Sequence, residues 1–375
     1  MFVFKGAWVV SGWGIIMIKY VSENIKNLVP YSPGKPLEEL ERELGIQKAI
    51  KLASNENPLG PSKKALEAIG KSLGKLHRYP DGGGFYLRGA IAKKWNVPPD
   101  SVVLGNGSNE IIELLIRAFM SPGDNAVTSE NTFSVYRLIV TAANGNIATV
   151  PMKDGRYDLE KIAGKINSKT RLVFIANPNN PTGTIVTSKE IKDFMNSIPE
   201  DVLVVFDEAY AEYAVSPDYP DSLSYLRDGR NVVILRTFSK IYGLAGLRIG
   251  YGLMKPEIAD MLNRVRQPFN TNALAQIAAL AAIEDEQHVK DSCRINNEGK
   301  DFLYKEFDSL GIKYLRTEAN FIYFYAGDDG KAIFDGMLRQ GVIIRHIGGA
   351  NLRVTIGLPE ENIRFIEALR KALGK

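Results

Sequence analysis

Cysteine is almost absent from this chain of 375 residues, with Cys293 the only one. An intramolecular disulfide is therefore impossible, and we expect a reducing compartment, the cytoplasm. Histidine is also scarce, and His77, His288 and His346 show no metal-ligand spacing, so we predict no protein-bound metal. A strong charge of one sign is lacking too, since 47 basic and 43 acidic residues leave a formal net charge of +4. So small and dispersed an excess does not favour nucleic acid as a partner.

A long uninterrupted apolar run is missing as well. The stretch from Phe2 to Ile18 is apolar, but it is short for a membrane span, carries Lys5 and is broken by glycines. No small-residue cleavage site follows it before Lys19, so it does not match a signal peptide. We therefore expect an apolar N-terminal extension over residues 1–18, with Met17 as an alternative start, and no membrane partner.

What the sequence does contain, from about residue 62 onward, is an alternation of apolar strand-like runs and amphipathic stretches. The amphipathic stretches include Ile111–Phe119 and Ile191–Ile198, the second opened by a capping box from Thr187 to Glu190. Such runs, rich in Val and Ile, predict a mostly parallel sheet covered on both faces, with its ligand at the carboxyl ends of the strands. The strand candidates are Val102–Leu104, Ala126–Thr128, Ile147–Val150, Leu172–Ala176, Val202–Phe206, Val232–Leu235 and Ile249–Leu253.

The flanking segments predict an arm and a second, smaller unit. Residues 19–50 are polar and marked by prolines, with one short helix candidate at Leu37–Leu44, and are typical of an arm. We expect a large domain over residues 51–285 and a small α+β domain over residues 286–375. The small domain has strand candidates at Phe321–Tyr325, Val342–Arg345 and Leu352–Ile356, and helix candidates at 273–283, 288–308, 330–339 and 360–373 around it.

Lys240 lies between two of the apolar runs, which is unusual because an ammonium group is rarely buried without a partner or a chemical task. Thr237 and Ser239 flank it, and Arg248 follows eight residues later. Two hydroxyls and a cation around one amine favour a phosphate held beside a nucleophile. A surface turn with an ordinary lysine is the alternative that the segment alone leaves open.

Polar residues follow three further strand candidates. Ser108 and Asn109 open a helix, whose free N–H groups favour a phosphate monoester, although a simple N-cap is the alternative. A dinucleotide fingerprint fails there, because Glu110 stands where its third glycine belongs. Asn180 lies in a loop fixed by two prolines and offers an amide to a ligand. Asp207, with Tyr210 three residues on, directly follows an apolar run and needs a cationic partner if it is not a helix cap.

The same residues belong to a longer series of motifs in a fixed order. They are Pro30–Pro36, Leu52–Pro58, Tyr79–Asp81, Asn177–Gly183, Asp207–Tyr210, Thr237–Lys240 and Ala245–Arg248. With this series the chain resembles the fold-type I enzymes that use pyridoxal 5′-phosphate (PLP), and specifically the histidinol-phosphate aminotransferase family. The resemblance implies an α/β fold-type I PLP-transferase with a large, mostly parallel α/β/α sheet domain and a small C-terminal α+β domain.

The resemblance also implies the cofactor and the residues that hold it. Lys240 would form the Schiff base with PLP and carry the proton between Cα and C4′. Asp207 would pair with the pyridinium nitrogen, while Tyr210 and Asn180 would hydrogen-bond the phenolate oxygen of the ring. Phe133 would stack on the ring, and the cofactor phosphate would be held by Ser108, Asn109, Thr237, Ser239 and Arg248. Tyr79 would reach the cofactor phosphate of the partner subunit, in a homodimer with shared active sites.

The implied substrate is histidinol phosphate, with glutamate and 2-oxoglutarate as the other pair. Arg353, with Asn180, would bind the α-carboxylate, and Arg345 and Tyr31 match positions that the family uses for the phosphate of the substrate. A strand-end arginine in a surface salt bridge is the alternative for Arg345. Two other activities would share every cofactor residue, an aromatic or phenylalanine aminotransferase and a threonine-phosphate decarboxylase. A non-catalytic regulator on this fold would need a DNA-binding module, for which residues 1–50 are too short and insufficiently basic.

Overall fold

The computed structural model describes residues 19–31 and 34–374, so the predicted extension over residues 1–18 lies outside the described residues. In the described part, the strands in chain order are β1 (Ile50–Lys51), β2 (Val102–Gly105), β3 (Asn125–Ser129), β4 (Asn146–Val150), β5 (Thr170–Ala176), β6 (Leu203–Asp207), β7 (Val232–Thr237), β8 (Gly250–Met254), β9 (Lys313–Tyr314), β10 (Phe321–Tyr325), β11 (Val342–Ile343), β12 (Arg345–Gly348) and β13 (Asn351–Thr355).

The α-helices connect these strands and cover their faces. Over residues 19–31 and 34–374, no helix is both long enough and apolar enough to cross a membrane. In chain order they are α1 (Glu23–Lys26), α2 (Leu37–Leu44), α3 (Lys63–Gly70), α4 (Phe85–Trp95), α5 (Ser108–Phe119), α6 (Val135–Ala142), α7 (Leu159–Ala163), α8 (Ser188–Ser197), α9 (Ser222–Arg227), α10 (Pro256–Val265), α11 (Ala273–Ile283), α12 (Glu286–Leu310), α13 (Gly330–Arg339) and α14 (Pro359–Ala372).

The large sheet has seven strands in the order β2-β8-β7-β6-β5-β3-β4. Neighbours from β7 through β4 pair in parallel, whereas β8 runs antiparallel to both β2 and β7. The predicted mostly parallel sheet is therefore confirmed. Because β2, β5, β6 and β7 all point the same way, their carboxyl ends meet at one edge of the sheet, where a ligand site is expected.

Both faces of this sheet are buried under helices. Successive residues of β6 point to opposite sides, so that Val204 and Phe206 join one apolar core and Val205 joins the other. Helices α4, α8 and α11 contribute buried side chains to the first core, and α5, α6 and α10 to the second. The predicted capping box opens α8, with the Thr187 side chain and that of Glu190 each bonded to the backbone of the other. The result is the predicted α/β/α arrangement.

A second sheet carries the C-terminal part of the chain, in the antiparallel order β12-β13-β10-β9. Helices α12, α13 and α14 pack on it around an apolar core that includes Phe307, Phe324 and Phe365. This arrangement confirms the small α+β part of the predicted fold. The boundary residues proposed for the domains stay a prediction.

One predicted strand was wrong. The run Val342–Arg345 is not a single strand, because Val342–Ile343 pairs in parallel with Ile50–Lys51, whereas β12 begins at Arg345 and pairs with β13. The chain changes partner at Ile344, and sequence periodicity does not report which strand lies alongside. The pairing of β1 with β11, together with the buried contact of Leu40 with this strand, also attaches the predicted arm to the C-terminal part.

Candidate active site

A cleft opens at the carboxyl edge of the large sheet and extends to β12 and β13. The ends of β5, β6 and β7 form its floor, as the parallel strand order requires. Nearly all of the residues singled out in the sequence line this one cleft. They are Tyr31, Ser108, Asn109, Phe133, Asn180, Asp207, Tyr210, Thr237, Ser239, Lys240, Arg248, Arg345 and Arg353.

Lys240 lines the cleft three residues beyond the end of β7. Its Nζ donates a hydrogen bond to the carbonyl oxygen of Ser54 at 2.9 Å and lies 5.7 Å from the centre of the Tyr210 ring. Loss of hydration lowers the pKa of Lys240 to about 7, and the positive charges of Arg353 and Arg248 act in the same direction. Near neutral pH a large fraction of this amine is therefore unprotonated and able to act as a nucleophile.

The carboxylate of Asp207 ends β6 and is only 5% exposed. The hydroxyl of Tyr136 donates to its Oδ2 at 2.6 Å, and the backbone N–H of Ala209 donates to Oδ1 at 3.3 Å. Burial raises the pKa of Asp207, while these hydrogen bonds and the charge of Lys240 oppose that rise. A buried carboxylate of this kind is suited to a cationic partner such as a pyridinium nitrogen.

Tyr210 also faces the cleft, and its hydroxyl accepts a hydrogen bond from Nδ2 of Asn55 at 2.9 Å. Burial is the main reason why the pKa of Tyr210 rises to about 12, so the phenol stays protonated at neutral pH. Asn55 itself is held by Thr355, whose hydroxyl accepts from the Asn55 backbone N–H at 2.9 Å. The phenol therefore keeps its hydrogen and is able to donate it to a ligand in the cleft.

A candidate anion site lies at the start of α5. Its N-terminal residues Ser108 and Asn109 face the cleft beside Thr237 and Ser239, and Nη1 of Arg248 donates to the Ser239 hydroxyl at 3.3 Å. Free backbone N–H groups, hydroxyls and a guanidinium together suit a phosphate monoester.

Two glycines allow the segments of this anion site to approach each other. Gly107 has a φ of +76°, and a Cβ there would lie 2.5 Å from Nη2 of Arg248. At Gly250 a Cβ would lie 2.6 Å from the backbone nitrogen of Ser108. Larger residues would therefore fill the site from both sides, because real Cβ atoms do not approach other atoms so closely.

Two arginines lie side by side at the opposite end of the cleft. Arg345 of β12 is directly opposite Arg353 of β13 in the antiparallel pairing. Arg353 is buried, donates to the Asn180 side chain, and donates to the carbonyl oxygen of Ala53 at 2.6 Å. The guanidinium of Arg345 lies 5.6 Å from the centre of the Tyr31 ring. Burial, with the charge of Arg345 as a further cause, lowers the pKa of Arg353 to about 10.

Phe133 and Tyr79 differ in where they lie. Phe133 lines the cleft and meets the Tyr136 ring edge to face, with the ring centres 5.6 Å apart. Tyr79 is 83% exposed, stacks on Phe269 and does not line the cleft of its own chain. Its predicted contact with a partner subunit stays a prediction.

Sequence reasoning missed three residues of this site, which are Ser54, Asn55 and Tyr136. The first two lie inside the Leu52–Pro58 motif, so the motif itself was the available signal. Tyr136 carries no comparable signal, because its contact with Asp207 depends on how α6 packs on the sheet. Within residues 19–31 and 34–374 no group of three or more His, Cys, Asp or Glu is arranged to hold a metal ion.

The chemistry of the donors fits PLP. The site at the start of α5 suits its phosphate, Asp207 suits a ring nitrogen, and Tyr210 suits a phenolate oxygen. Lys240 supplies an amine in the same cleft, a large fraction of which is unprotonated near neutral pH.

Comparison with known proteins places the chain in a family. The model of the family "Aminotransferase class I and II" matches residues 47–369. A histidinol-phosphate aminotransferase of Moorella thermoacetica is 51% identical over 94% of this chain and 92% of its own length. Histidinol-phosphate aminotransferase 2 of Pseudomonas fluorescens is 50% identical over 94% of this chain and 96% of its own. The chain belongs to the class I and II aminotransferases, which use PLP.

A solved structure agrees with this assignment. The histidinol-phosphate aminotransferase of Sinorhizobium meliloti, in complex with PLP, has a TM-score of 0.88 and 29% identity, and the match covers 95% of this chain and 98% of that one. The predicted resemblance to the histidinol-phosphate aminotransferase family is thereby confirmed, as are the fold-type I architecture and PLP as the cofactor of the family.

Proposed function

We propose that the protein is a PLP-dependent aminotransferase that moves an amino group between L-histidinol phosphate and 2-oxoglutarate in histidine biosynthesis. One observation carries the choice of substrate: Arg345 and Arg353 stand directly opposite each other on β12 and β13 and line the same cleft as Lys240. The names of the relatives from Moorella thermoacetica and Pseudomonas fluorescens support the same substrate.

The arginine pair favours an anionic substrate for an electrostatic reason. Like charges directly opposite each other in an antiparallel pair are destabilising, and an anion between them removes the repulsion. In histidinol phosphate, the phosphate ester of a hydroxymethyl group takes the place of the carboxylate that an amino acid carries on Cα. Two guanidinium groups suit the dianionic phosphate, whereas the single charge of a carboxylate is matched by Arg353, held in place by Asn180. One cleft can therefore serve both half-reactions.

The reaction needs an amine exchange and the breaking of the Cα–H bond. PLP supplies an aldehyde that condenses with amines and a protonated pyridine ring that takes up the electron pair left by that bond. The Lys240 amine takes the proton from Cα of the substrate, for which a pKa of about 7 is well suited. The Asp207 carboxylate holds the proton on the ring nitrogen. Tyr210, a protonated phenol, and the amide of Asn180 would donate hydrogen bonds to the phenolate oxygen of the ring.

Binding and orientation fall to the rest of the cleft. We assign the start of α5 and Arg248 to the cofactor phosphate, and Phe133 to one face of the cofactor ring, because these residues line the cleft together. Tyr31 supports Arg345, over whose guanidinium its ring lies. The phosphate-binding residues of this assignment are Ser108, Asn109, Thr237, Ser239 and Arg248.

We also propose a cytoplasmic homodimer with shared active sites. Its support is a group of exposed aromatic side chains on one chain, Tyr79, Phe85, Tyr86 and Phe269, because exposed apolar patches mark protein–protein contacts. Tyr79 would then reach the cofactor phosphate of the partner. Each chain would consist of an arm over residues 19–50, a large domain over 51–285 and a small domain over 286–375.

Replacement of Arg345 tests the choice of substrate. For Arg345→Ala we expect kcat/KM with L-histidinol phosphate to fall about 10- to 100-fold, as for the loss of a charge-assisted hydrogen bond. With L-histidinol, which lacks only the phosphate, the fall should be about threefold or less. Arg339→Ala, at an exposed position near the end of α13, is the matched control and should leave both values unchanged.

Equal losses on the two substrates would contradict the proposal, because they would indicate general damage to the cleft. Dependence on 2-oxoglutarate separates the remaining activities on this fold. Without an oxo acid, an aminotransferase stops after one turnover of its amino substrate. A threonine-phosphate decarboxylase that is given threonine phosphate continues and releases carbon dioxide. Sustained turnover without oxo acid would therefore overturn the assignment.

A further inference from the structure

Tyr136 is a buried titratable residue to which the chemistry described above gives no task. It lies on α6, it has no exposed surface, and its hydroxyl donates to Oδ2 of Asp207 at 2.6 Å. Among the described residues, the other donor to this carboxylate is the backbone N–H of Ala209, at the longer distance of 3.3 Å. Tyr136 therefore provides the short side-chain hydrogen bond that Asp207 accepts.

The ring of Tyr136 is held in place by aromatic contacts on two sides. It stacks on Phe174 of β5 with ring centres 4.6 Å apart and an angle of 8° between the planes. It meets Phe133 edge to face at 5.6 Å and 87°. Stacked and edge-to-face pairs of this kind are favourable and restrict rotation of the ring. The hydroxyl is thus directed at Asp207, and the same ring supports the side chain that we assign to a face of PLP.

The electrostatic surroundings make this hydrogen bond consequential. Burial raises the pKa of Asp207, and the hydrogen bond from Tyr136 opposes that rise. The pKa of Tyr136 lies well above its usual value because of burial and the nearby carboxylate, so the phenol stays protonated and can donate. The other titratable groups that act on Asp207 or feel its charge are Lys240, Tyr157, Tyr210 and Tyr219. Of these only Lys240 carries a charge near neutral pH, and only in the fraction of molecules in which its amine is protonated.

We propose that Tyr136 is a positioning residue that keeps the Asp207 carboxylate ionised and oriented toward the ring nitrogen of PLP, and that links this carboxylate to Phe133. The inference rests on the proposed function, since it assumes that Asp207 faces the ring nitrogen. Without the phenol, Oδ2 of Asp207 would lose its hydrogen bond inside a dry site, where the neutral carboxylic acid becomes more favourable. A neutral acid would no longer hold the proton on the ring nitrogen.

The substitution Tyr136→Phe tests this, because it removes one oxygen atom and keeps both aromatic contacts. We expect the dissociation constant of PLP to rise roughly tenfold, as for a hydrogen bond to a charged group. In protein loaded with nitrogen-15-labelled PLP, the chemical shift of the ring nitrogen should move from that of a pyridinium toward that of a neutral pyridine. This shift reports protonation at one atom, and a merely structural role for Tyr136 would not change it.

Tyr251→Phe is the matched control. Tyr251 is equally buried, and its hydroxyl accepts a hydrogen bond from the indole N–H of Trp95 at 2.8 Å, away from the cleft. Its loss should leave the nitrogen-15 shift unchanged. If Tyr136→Phe does not give folded protein, Phe174→Leu keeps the hydroxyl and removes its aromatic support, and the shift should move in the same direction.

The outcomes separate this inference from the proposed function. A pyridinium shift in the wild type that is unchanged in the Tyr136 variant overturns the inference alone. A neutral pyridine shift in the wild type would instead overturn the assignment of Asp207, on which the proposed function depends. Equal changes in the Tyr136 and Tyr251 variants would indicate general loosening and would also overturn the inference.

Discussion

The Lys240 amine shares its cleft with three arginines, of which Arg353 and Arg248 disfavour its positive charge, and it has lost much of its hydration. Both effects disfavour the ammonium form, so the pKa of Lys240 falls to about 7. Because a free amine is the form that reacts with an aldehyde, a pKa of about 7 suits the proposed bond between Lys240 and PLP. The same repulsion between cations is what an arriving phosphate or carboxylate relieves.

This predicts how capture of PLP depends on pH. As pH rises the amine loses its proton, so the rate at which the protein without cofactor captures PLP should rise about tenfold per unit below pH 7 and level off above it. Stopped-flow absorbance measures this rate. Lys240→Ala should abolish covalent capture, while Lys189→Ala, at an exposed residue of α8, should leave the profile unchanged. A midpoint near pH 10 would show an ordinary lysine and contradict the account.

At this scale the sequence predicted the residues that follow apolar strands. Lys240 and Asp207 could be found because a charge beside a buried run needs a reason. The pairing of Arg345 with Arg353, and the contact of Tyr136 with Asp207, could not be found in this way. Both depend on which elements lie side by side, and no local pattern encodes that.

The start of α5 shows how one element builds a site from its backbone. Its first N–H groups have no partner within the helix, and they face the cleft beside Arg248. Gly107, immediately before the helix, combines a φ of +76° with a ψ of 166°, a conformation that is nearly restricted to glycine. The anion site therefore depends on a residue that has no side chain.

We accordingly predict that Gly107→Ala lowers the affinity for PLP by at least about tenfold. Its Cβ would lie 2.5 Å from Nη2 of Arg248 and displace the guanidinium. The strained backbone should lower the free energy of unfolding by about 1–3 kcal/mol as well. Titration of the folded variant with PLP, followed by absorbance, measures the affinity.

Gly123→Ala is the control for this substitution. Gly123 also has a positive φ, of +92°, but in the described part of the chain no atom beyond its chain neighbours lies within 4 Å of the position of its Cβ. It should lose stability without losing affinity for PLP. Unchanged affinity in Gly107→Ala would contradict the assignment of the phosphate to this helix.

Among the elements, the sequence predicted best those whose strands are buried on both faces. The large-sheet strands were placed to within two residues at each end, because a continuous apolar run bounded by polar residues marks them. The segment Val342–Arg345 was misjudged because its two halves pair with different strands. Helix α4 was not predicted, and its apolar side chains show almost no one-sided pattern, since exposed Phe85 and Tyr86 sit beside buried Leu87.

The exposed aromatic side chains matter at the scale of the whole molecule. Phe85 and Tyr86 at the start of α4 are about three-quarters exposed, and the exposed rings of Tyr79 and Phe269 stack on each other. We call these four side chains the aromatic cluster. Such a surface is unfavourable in water, and in the proposed homodimer a second copy of the chain would cover it. The partner would at the same time bring Tyr79 to the cleft.

We therefore predict a dimer in sedimentation velocity, and a monomer for Phe85→Glu, because a carboxylate buried in an apolar contact carries a large desolvation cost. The variant should also lose most of its activity. Val215→Glu, at an exposed apolar position outside this cluster, should stay dimeric and active. A wild type that sediments as a monomer, or a dimeric and active Phe85→Glu variant, would contradict shared active sites.

The half-reaction tests the central claim most directly, because it needs the cofactor, the amine and the anion site together. L-histidinol phosphate is added to PLP-loaded protein without any oxo acid, and the absorbance spectrum is recorded. We predict that the visible band of bound PLP disappears as pyridoxamine phosphate forms, and that addition of 2-oxoglutarate restores the visible band. A spectrum that L-histidinol phosphate leaves unchanged, while phenylalanine converts it, would contradict the account.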